Sequence, residues 1–394
     1  MQAERRKKEL VHFLFRGAAY LKARQCLEIQ KVCSIRYIIV PLRVKKYNII
    51  FIKMKRIFSI AIAACFAALP VMAEDAQWGR KVTDYASTPK FGGYVIGKYS
   101  YTDQDGKKVN NEFSQRLIRM YVDGTILTDF KYRVQVQINN KGFHMKDYFV
   151  EWTHWKEFSV KVGQYKRAFL FENPYNPWDV GFGDYSQIIK KFSGMGDYCG
   201  EDGSTGGRDQ GLQFQGDLFP VADGSYRLIH YQLQFMNGQG INTGDANSRK
   251  DIIGTLQIQP IKDLYIGAFG WKGDYVVNDN LTIGRDRWAV SAKYEHNAWS
   301  ARAEYAHSEG KNIQEADGWY AALGVPVNDW FKVYAKYDVY RENANKESMK
   351  AMYCIAPNFQ IHKNLMLQLQ YNYVDDRLHN SKFNELWAEF YVRF

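Results

Sequence analysis

The sequence predicts an all-β protein, a transmembrane antiparallel β-barrel of about 16 strands, and three observations lead to that prediction. Apolar and polar residues alternate along most of the chain past residue 73, as in a strand with one apolar and one polar face. A short polar turn followed by an aromatic residue or Leu recurs about every 35 residues. No apolar run past residue 73 approaches the roughly 18 residues that a membrane-spanning helix needs.

The recurring turns divide the chain into eight hairpins, which gives 16 strands. Each interval has room for an outgoing strand, a loop, a return strand and a tight turn. One interval is about 33 residues longer than the others, and its excess predicts a long loop at 166–208, between strands 5 and 6, folded into the barrel. The predicted starts of the eight outgoing strands are residues 91, 130, 158, 226, 264, 299, 330 and 365.

The two faces of these strands favour a barrel in lipid over a soluble β-protein. The polar faces carry Gln, Arg, Lys, Asp and Glu, whereas the apolar faces place Trp and Tyr at strand starts, as at Trp299 and Trp330. Such aromatic girdles are typical of barrels where they enter a bilayer. In lipid only a closed sheet satisfies every hydrogen bond between strands.

The charge of the chain is concentrated at its N-terminus. The formal net charge is +11, but residues 1–73 hold 15 of the 53 Lys and Arg and only 3 of the 42 Asp and Glu. The remaining 38 basic and 39 acidic residues leave 74–394 with a net charge of −1. A nucleic-acid partner is therefore not expected, because the basic surface that it requires is missing.

The first 90 residues are predicted to divide into three parts. Residues 54–73 form a signal peptide, with a basic head at Met54, an apolar run over 57–69 and small residues before a cut after Ala73. A membrane anchor, or a lipidated Cys65, is an alternative interpretation of the same segment. Residues 1–53 are too long for the head of a signal peptide and are interpreted as a non-native upstream extension. Residues 74–90 form a short periplasmic segment, and 91–394 form the barrel.

The chain end supports an outer-membrane location. The final strand alternates apolar and polar residues and stops on Phe394. A last strand ending in an aromatic residue resembles the assembly signal of bacterial outer-membrane proteins. We therefore expect outer-membrane lipid and the barrel-assembly machinery as partners, with Phe394 as the assembly signal.

Catalytic and metal-binding patterns are not evident in the sequence. The histidines are scattered, no histidine pairs recognisably with a Ser nucleophile and an acid, and no Cys/His cluster has the spacing of metal ligands. Only Cys199 and Cys354 remain in the mature chain, where one disulfide is possible. We expect no enzymatic activity, no metal and no cofactor.

A ten-residue motif precedes the long loop. It reads Gly163-Gln164-Tyr165-Lys166-Arg167-Ala168-Phe169-Leu170-Phe171-Glu172 and follows Tyr148-Phe149-Val150-Glu151. This stretch resembles the phosphate-selective porin family, the O and P porins, with a Gly-Gln-aromatic-Lys-x-Pro-Phe-x-x-Glu pattern. Ala168 stands where the family usually has Pro. The matching positions are Gly163, Gln164, Tyr165, Lys166, Phe169 and Glu172.

The resemblance implies an outer-membrane porin, a homotrimer that passes small anions such as phosphate by passive diffusion. The candidate pore residues are Lys166, Arg167, Lys190, Lys191 and Arg208 in the loop, with Arg133, Lys161 and Arg302 on the wall. By their position in the alternation, further basic side chains are expected to face the lumen: Lys98, Arg119, Arg287, Lys293, Lys332, Lys336 and Arg393. Nearly as many acidic side chains are expected to do so, among them Asp123, Asp147, Glu151, Glu295, Glu304, Asp338 and Glu389. Because the signs nearly balance, a general non-selective porin stays an alternative, as does a barrel with a structural or enzymatic role.

Overall fold

The computed structural model describes residues 87–394 except 105, 140–141, 202–205 and 223. The predicted extension at 1–53, the signal peptide at 54–73 and nearly all of 74–90 lie outside the described residues. In the described part of the chain no helix is both long and apolar enough to cross a bilayer.

Sixteen antiparallel strands form a closed barrel in which each strand pairs with its neighbours in sequence and β1 pairs with β16. The strands are β1 (Lys90–Asp103), β2 (Asn110–Ile126), β3 (Phe130–Asn139), β4 (Gly142–Trp152), β5 (Ser159–Lys166), β6 (Arg208–Val221), β7 (Tyr226–Met236), β8 (Asp251–Ile261), β9 (Leu264–Asn278), β10 (Leu281–His296), β11 (Trp299–Glu309), β12 (Ala316–Pro326), β13 (Phe331–Arg341), β14 (Met349–His362), β15 (Leu365–Asp376) and β16 (Ser381–Arg393). The predicted antiparallel barrel of 16 strands is confirmed, and each predicted hairpin start lies within one residue of an observed strand start.

The two faces of the wall differ as the alternation predicts. On β10, Trp288 and Val290 are about half exposed, whereas Arg287, Ala289 and Ser291, which alternate with them, are buried. The apolar face therefore points out of the barrel and the polar face points in. This order suits a surrounding of hydrocarbon, in which strand backbones bond only to one another.

The ring closes at the C-terminus. The main chain of Phe394 exchanges two hydrogen bonds of 3.0 Å with Gly93 at the start of β1. The Phe394 ring lies over Gly93, where a Cβ atom would come within 2.7 Å of its Cζ, and faces Phe91 with the ring centroids 6.1 Å apart. The terminal residue thus supplies both backbone pairing and ring packing to the closing seam.

The cysteines do not form a bridge. Cys199 and Cys354 are both free thiols buried in the structure. The disulfide that the sequence left possible is therefore not formed.

We expect the detergent-extracted protein to migrate faster on an SDS gel before boiling than after it. A ring whose strand hydrogen bonds are all internal resists SDS until heat opens it. Equal mobility of boiled and unboiled samples would contradict the closed barrel.

Deletion of Phe394 should lower the amount of protein in the outer membrane and raise its degradation in the periplasm, because the seam loses two backbone hydrogen bonds and the ring over Gly93. The measurement is immunoblotting of separated membranes. Phe394→Tyr is the matched control, since it keeps the backbone and an aromatic ring. Unchanged outer-membrane levels of the deletion variant would refute the assigned role.

Candidate functional site

The connection between β5 and β6 is the longest of the described loops and holds a short helix, α1 (Gln187–Phe192). Its backbone is held by side chains from the polar face of the wall. On β11, Glu304 accepts the N–H groups of Phe171 at 2.6 Å and Glu172 at 3.0 Å. Asp338 on β13 accepts the N–H of Gln187 at 2.9 Å. Further backbone N–H groups are accepted by Gln234 on β7 and Gln370 on β15.

These contacts extend along most of the length of the strands. We call the chain between β5 and β6, residues 167–207, the segment. It contacts three residues of β10: Cys199 bonds Arg285, Asp197 bonds Arg287, and Tyr175 bonds Glu295. At about 3.3 Å per residue, Arg285 and Glu295 are roughly 33 Å apart along the strand. The part of the segment around Tyr175 therefore lies near the short turns that join β8 to β9 and β10 to β11.

Apolar side chains of the segment pack on the inner wall. Phe169 makes edge-to-face contacts with Phe269 and Trp271 of β9, at centroid distances of 6.2 and 5.7 Å. Phe182 packs edge-on against Tyr334 of β13, 5.5 Å away. These residues belong to a buried hydrophobic cluster, and burying large apolar side chains of this kind contributes about 1.5–3 kcal/mol each.

Buried ion pairs fix the last part of the segment. Arg167, fully buried, bonds Glu201 at 2.8 Å and Asp209 at 2.8 Å. Arg285 bonds the second oxygen of Glu201. Removing one partner of such a pair leaves a charge buried without compensation, which costs about 3–5 kcal/mol. The charge of Arg167 is thus engaged in holding the segment.

Asp197 completes this cluster. It accepts two hydrogen bonds of 2.7 Å from Arg287. Burial alone would raise the pKa of Asp197, but the Arg287 guanidinium lowers it to about 2, so this anchor is charged at neutral pH. Burial next to Asp197 raises the pKa of the Cys199 thiol to about 11, which keeps the thiol protonated.

The motif at the start of the segment has a backbone role. Gly163 adopts a φ of +132°, and a Cβ atom there would lie 2.1 Å from the carbonyl oxygen of Tyr148. Only glycine fits that close approach of β5 to β4. Ala168 donates its N–H to Gln234 at 2.7 Å. Proline has no such N–H, so the departure from the porin pattern at Ala168 supplies a hydrogen bond.

The polar motif residues bind backbone as well. Gln164 donates to the carbonyl of Lys146 and accepts the N–H of Asn242. Glu172 accepts the N–H of Ser186 at 2.7 Å and lies 3.8 Å from Arg302. The other predicted motif positions, Tyr165 and Phe169, are buried aromatic residues of the hydrophobic cluster.

Lys166, the last residue of β5, donates to the carbonyls of Asn173 and Tyr175 and to the hydroxyl of Tyr185. Its ammonium forms no ion pair with any described carboxylate. Arg119 of β2 is similar, since it donates to Gln137 and to the hydroxyl of Tyr94 and likewise has no carboxylate partner in the described chain. The charges of Arg119 and Arg208 act on Lys166, so the three form one basic group.

Arg208 of this group and two predicted wall bases near it are paired with carboxylates. Arg208 bonds Asp147, Arg133 bonds Asp123 and Lys161 bonds Glu151, at 2.8, 2.7 and 3.3 Å. Arg302 donates to a carbonyl of the segment, that of Val180. The structure thus brings Lys166, Arg208, Arg133 and Lys161 to the β2–β6 side, whereas Arg167 and Arg302 lie in or beside the packed segment.

Lys190 and Lys191 lie on α1. Lys190 is 42% exposed and bonds Asp184 at 2.7 Å. Asp184 raises the pKa of Lys190. Burial opposes ionisation of Asp184, yet Lys190 still lowers its pKa. Lys191 lies over the ring of Tyr340, 5.7 Å from its centroid.

Sequence reasoning missed two arginines. Arg285 could have been predicted, because it lies two residues before Arg287 on β10 and therefore shares its inward orientation. Arg116 was hidden because the β1–β2 register shifts between Ile96 and Gly97, and a bulge reverses the parity that alternation assumes. In the structure Arg116 bonds Glu389 at 2.6 Å.

No curated protein sequence matches the chain at a significant level. Among solved structures, an anion-selective porin from Comamonas acidovorans is similar with a TM-score of 0.61 and 13% identity, over 78% of this chain and 100% of that one. The outer-membrane channel DcaP of Acinetobacter baumannii has a TM-score of 0.58 and 12% identity, over 80% and 99%. The trimer form of OmpT, an outer-membrane protein of Vibrio cholerae, has a TM-score of 0.52 and 13% identity, over 79% and 100%. These identities support a shared fold only.

The family is shown by the sequence itself. The model of the Gram-negative porin family matches residues 60–379, a range that includes every strand of the barrel except β16. Together with the closed 16-stranded sheet, this match places the protein in the bacterial outer membrane as a channel. The chain belongs to the Gram-negative porin family.

Proposed function

We propose that this porin is a passive channel for small hydrophilic solutes that favours anions such as phosphate. The observation that carries the proposal is the basic group formed by Arg119, Lys166 and Arg208. Three basic side chains meet there, and the one carboxylate paired with them is Asp147. Rings or clusters of basic side chains are the usual means by which a pore favours anions.

The surroundings of the basic group reinforce this preference. Lys98 and Arg116 share the single carboxylate of Glu389, at 3.6 and 2.6 Å. This part of the wall therefore has more positive than negative charge. The packed segment occupies the β9–β15 side through its contacts there, so solutes pass along the basic side. The Debye length of about 8 Å at physiological salt lets this field act across a narrow passage.

We further propose that the segment at 166–208 narrows the pore. Its many bonds to the wall support a fixed position rather than a mobile one. Lys190, whose side chain is 42% exposed, faces the remaining space, although Asp184 offsets its charge. Lys166 links the segment to the basic group, because its ammonium binds segment carbonyls.

A homotrimer and membership of the phosphate-selective subfamily complete the proposal. The trimer is supported by the trimer form of the structurally similar OmpT, and the subfamily by the motif at 163–172. The structurally similar porin from Comamonas acidovorans is anion-selective, which agrees with the proposal. The alternative, a general non-selective porin, is favoured by the paired charges Arg133–Asp123 and Lys161–Glu151.

Arg119→Gln should lower the chloride-to-potassium permeability ratio by about twofold, a fraction of the ~1 kcal/mol that two unit charges exchange at 4 Å in water. The readout is the zero-current potential of single channels in a KCl gradient. Lys382→Gln is the matched control, because that side chain is 66% exposed and lies at the far end of β16. A wild-type channel without anion preference would contradict the proposal and leave the general porin.

Glu304→Gln should loosen the segment and increase the open-channel current or its noise. The Glu304 carboxylate accepts four hydrogen bonds, from Phe171, Glu172, Ser291 and Tyr320. The side-chain amide of Gln would point its NH₂ group, a donor, at some of these donors. An unsatisfied buried donor costs about 1–3 kcal/mol. Glu309→Gln, on the same strand but exposed, should leave the current unchanged. Identical traces for Glu304→Gln and wild type would argue against the segment as the constriction.

A further inference from the structure

A cleft of about 290 Å³ lies between the segment and the wall, near the short turn that joins β10 to β11. Asp179 borders it from the segment, and Arg302, Lys332 and Tyr334 border it from β11 and β13. Glu295 of β10 lies at the same cleft. The cleft is smaller than the roughly 300–1,000 Å³ of sites for drug-sized ligands, so it suits a small solute.

Two of these charged side chains are already engaged within the protein. Glu295 accepts the hydroxyl of Tyr175 at 2.5 Å and lies 3.5 Å from Lys293. Arg302 donates to the carbonyl of Val180, and its guanidinium lies over the Tyr175 ring, 5.0 Å from the centroid. These contacts hold both side chains at the border of the cleft.

The other two, Asp179 and Lys332, form no ion pair, although the charge of Arg393 acts on Asp179. The carboxylate of Asp179 has one side-chain hydrogen bond, from Asn176 at 3.5 Å, and burial raises its pKa. The ammonium of Lys332 donates to Ser300 at 3.4 Å and lies 4.6 Å from the centroid of Tyr334. Neither forms an ion pair with a residue in the described chain, and they are too far apart to pair with each other.

The backbone holds these two charges apart. Asp179 belongs to the segment, whose neighbouring Gly181 adopts a φ of +86° and packs so closely on Tyr334 that a Cβ atom would lie 2.4 Å from its Cε1. On β13, Tyr334 lies opposite Gly324 of β12 and Lys332 lies opposite Pro326. A Cβ atom on Gly324 would come within 2.8 Å of the Lys332 side chain. The spacing of the charges is therefore set by close backbone packing.

We propose that this cleft binds small zwitterions, molecules with one ammonium and one carboxylate group, as in a free amino acid. The ammonium of the solute pairs with Asp179 and its carboxylate pairs with Lys332. A simple anion is attracted by Lys332 but repelled by Asp179. A simple cation is attracted by Asp179 but repelled by Lys332. Opposite charges that are partly withdrawn from water and unpaired bind most favourably a ligand that compensates both.

This inference goes beyond the anion preference proposed above and does not depend on it. The cleft lies at the short-turn end of the barrel, on the side of β10–β13, whereas the basic group lies on β2, β5 and β6. The two can be tested in the same channels, because anion preference is read from the zero-current potential and zwitterion binding from block of the KCl current.

The experiment uses the full-length porin in planar bilayers with glycine, β-alanine and γ-aminobutyric acid as probes. These carry the same two charges at increasing separation. We expect at least one of them to reduce the single-channel current saturably, and acetate and ethylammonium to do so more weakly. Asp179→Asn and Lys332→Gln should each raise the half-blocking concentration by about fivefold, the value of a partly exposed ionic contact.

Two further variants separate binding from misfolding. The exchange Asp179→Lys with Lys332→Asp should restore block to within about twofold of wild type, because both charges return in the opposite order. Lys346→Gln with Glu347→Gln, in the exposed β13–β14 loop, is the matched control and should not change block. Heat-dependent gel mobility checks that each variant is folded.

The absence of saturable block by all three zwitterions in the wild type would overturn the proposal. An unchanged half-blocking concentration in either folded single variant would also overturn it. Acetate as effective as the best zwitterion, with sensitivity only to Lys332→Gln, would show an anion site instead.

Discussion

Closure of the sheet is the constraint on which the rest of this structure depends. In hydrocarbon a strand backbone finds no water, so every N–H and C=O must bond to another strand. Pairing of β1 with β16 meets that requirement, and the chain ends where the pairing does, with Phe394 bonded to Gly93. Once the ring is closed, alternation sends one face of each strand inward, where most of the polar side chains lie, and the other outward, where the side chains are mostly apolar.

The polar interior then serves as scaffold for the segment between β5 and β6. A loop inside a barrel would leave its backbone groups without strand partners, and buried polar groups are costly unless they are bonded. Here the wall supplies the partners: Glu304, Asp338 and Gln370 accept backbone N–H groups of the segment. Many inward charges are therefore structural, which explains why Arg167 and Arg285 are fully buried.

Because many inward charges are structural, the nearly equal numbers of inward basic and acidic residues in the sequence do not by themselves describe the field in the pore. Ion pairs such as Arg287–Asp197 neutralise one another within the packed segment and leave little field in the water-filled space. Within the described chain, the charged side chains without an opposite partner include Arg119 and Lys166 on one side and Asp179 and Lys332 on the other. The sum of all inward charges cannot distinguish paired from unpaired residues, since it counts a charge in a buried ion pair and an unpaired charge equally.

The sequence by itself determined the barrel, its 16 strands and the hairpin starts to within one residue, because a strand between lipid and water must alternate and a short turn must follow it. It also located the segment at 166–208 from length alone. It could not determine which inward residues bind the segment, since Glu304 and Phe171 are 133 residues apart and alternation carries no information on such contacts. It likewise missed Arg116, because a single bulge in β1–β2 reverses parity. Which charges stay unpaired depends on how the segment packs against the wall, and only the tertiary structure decided that.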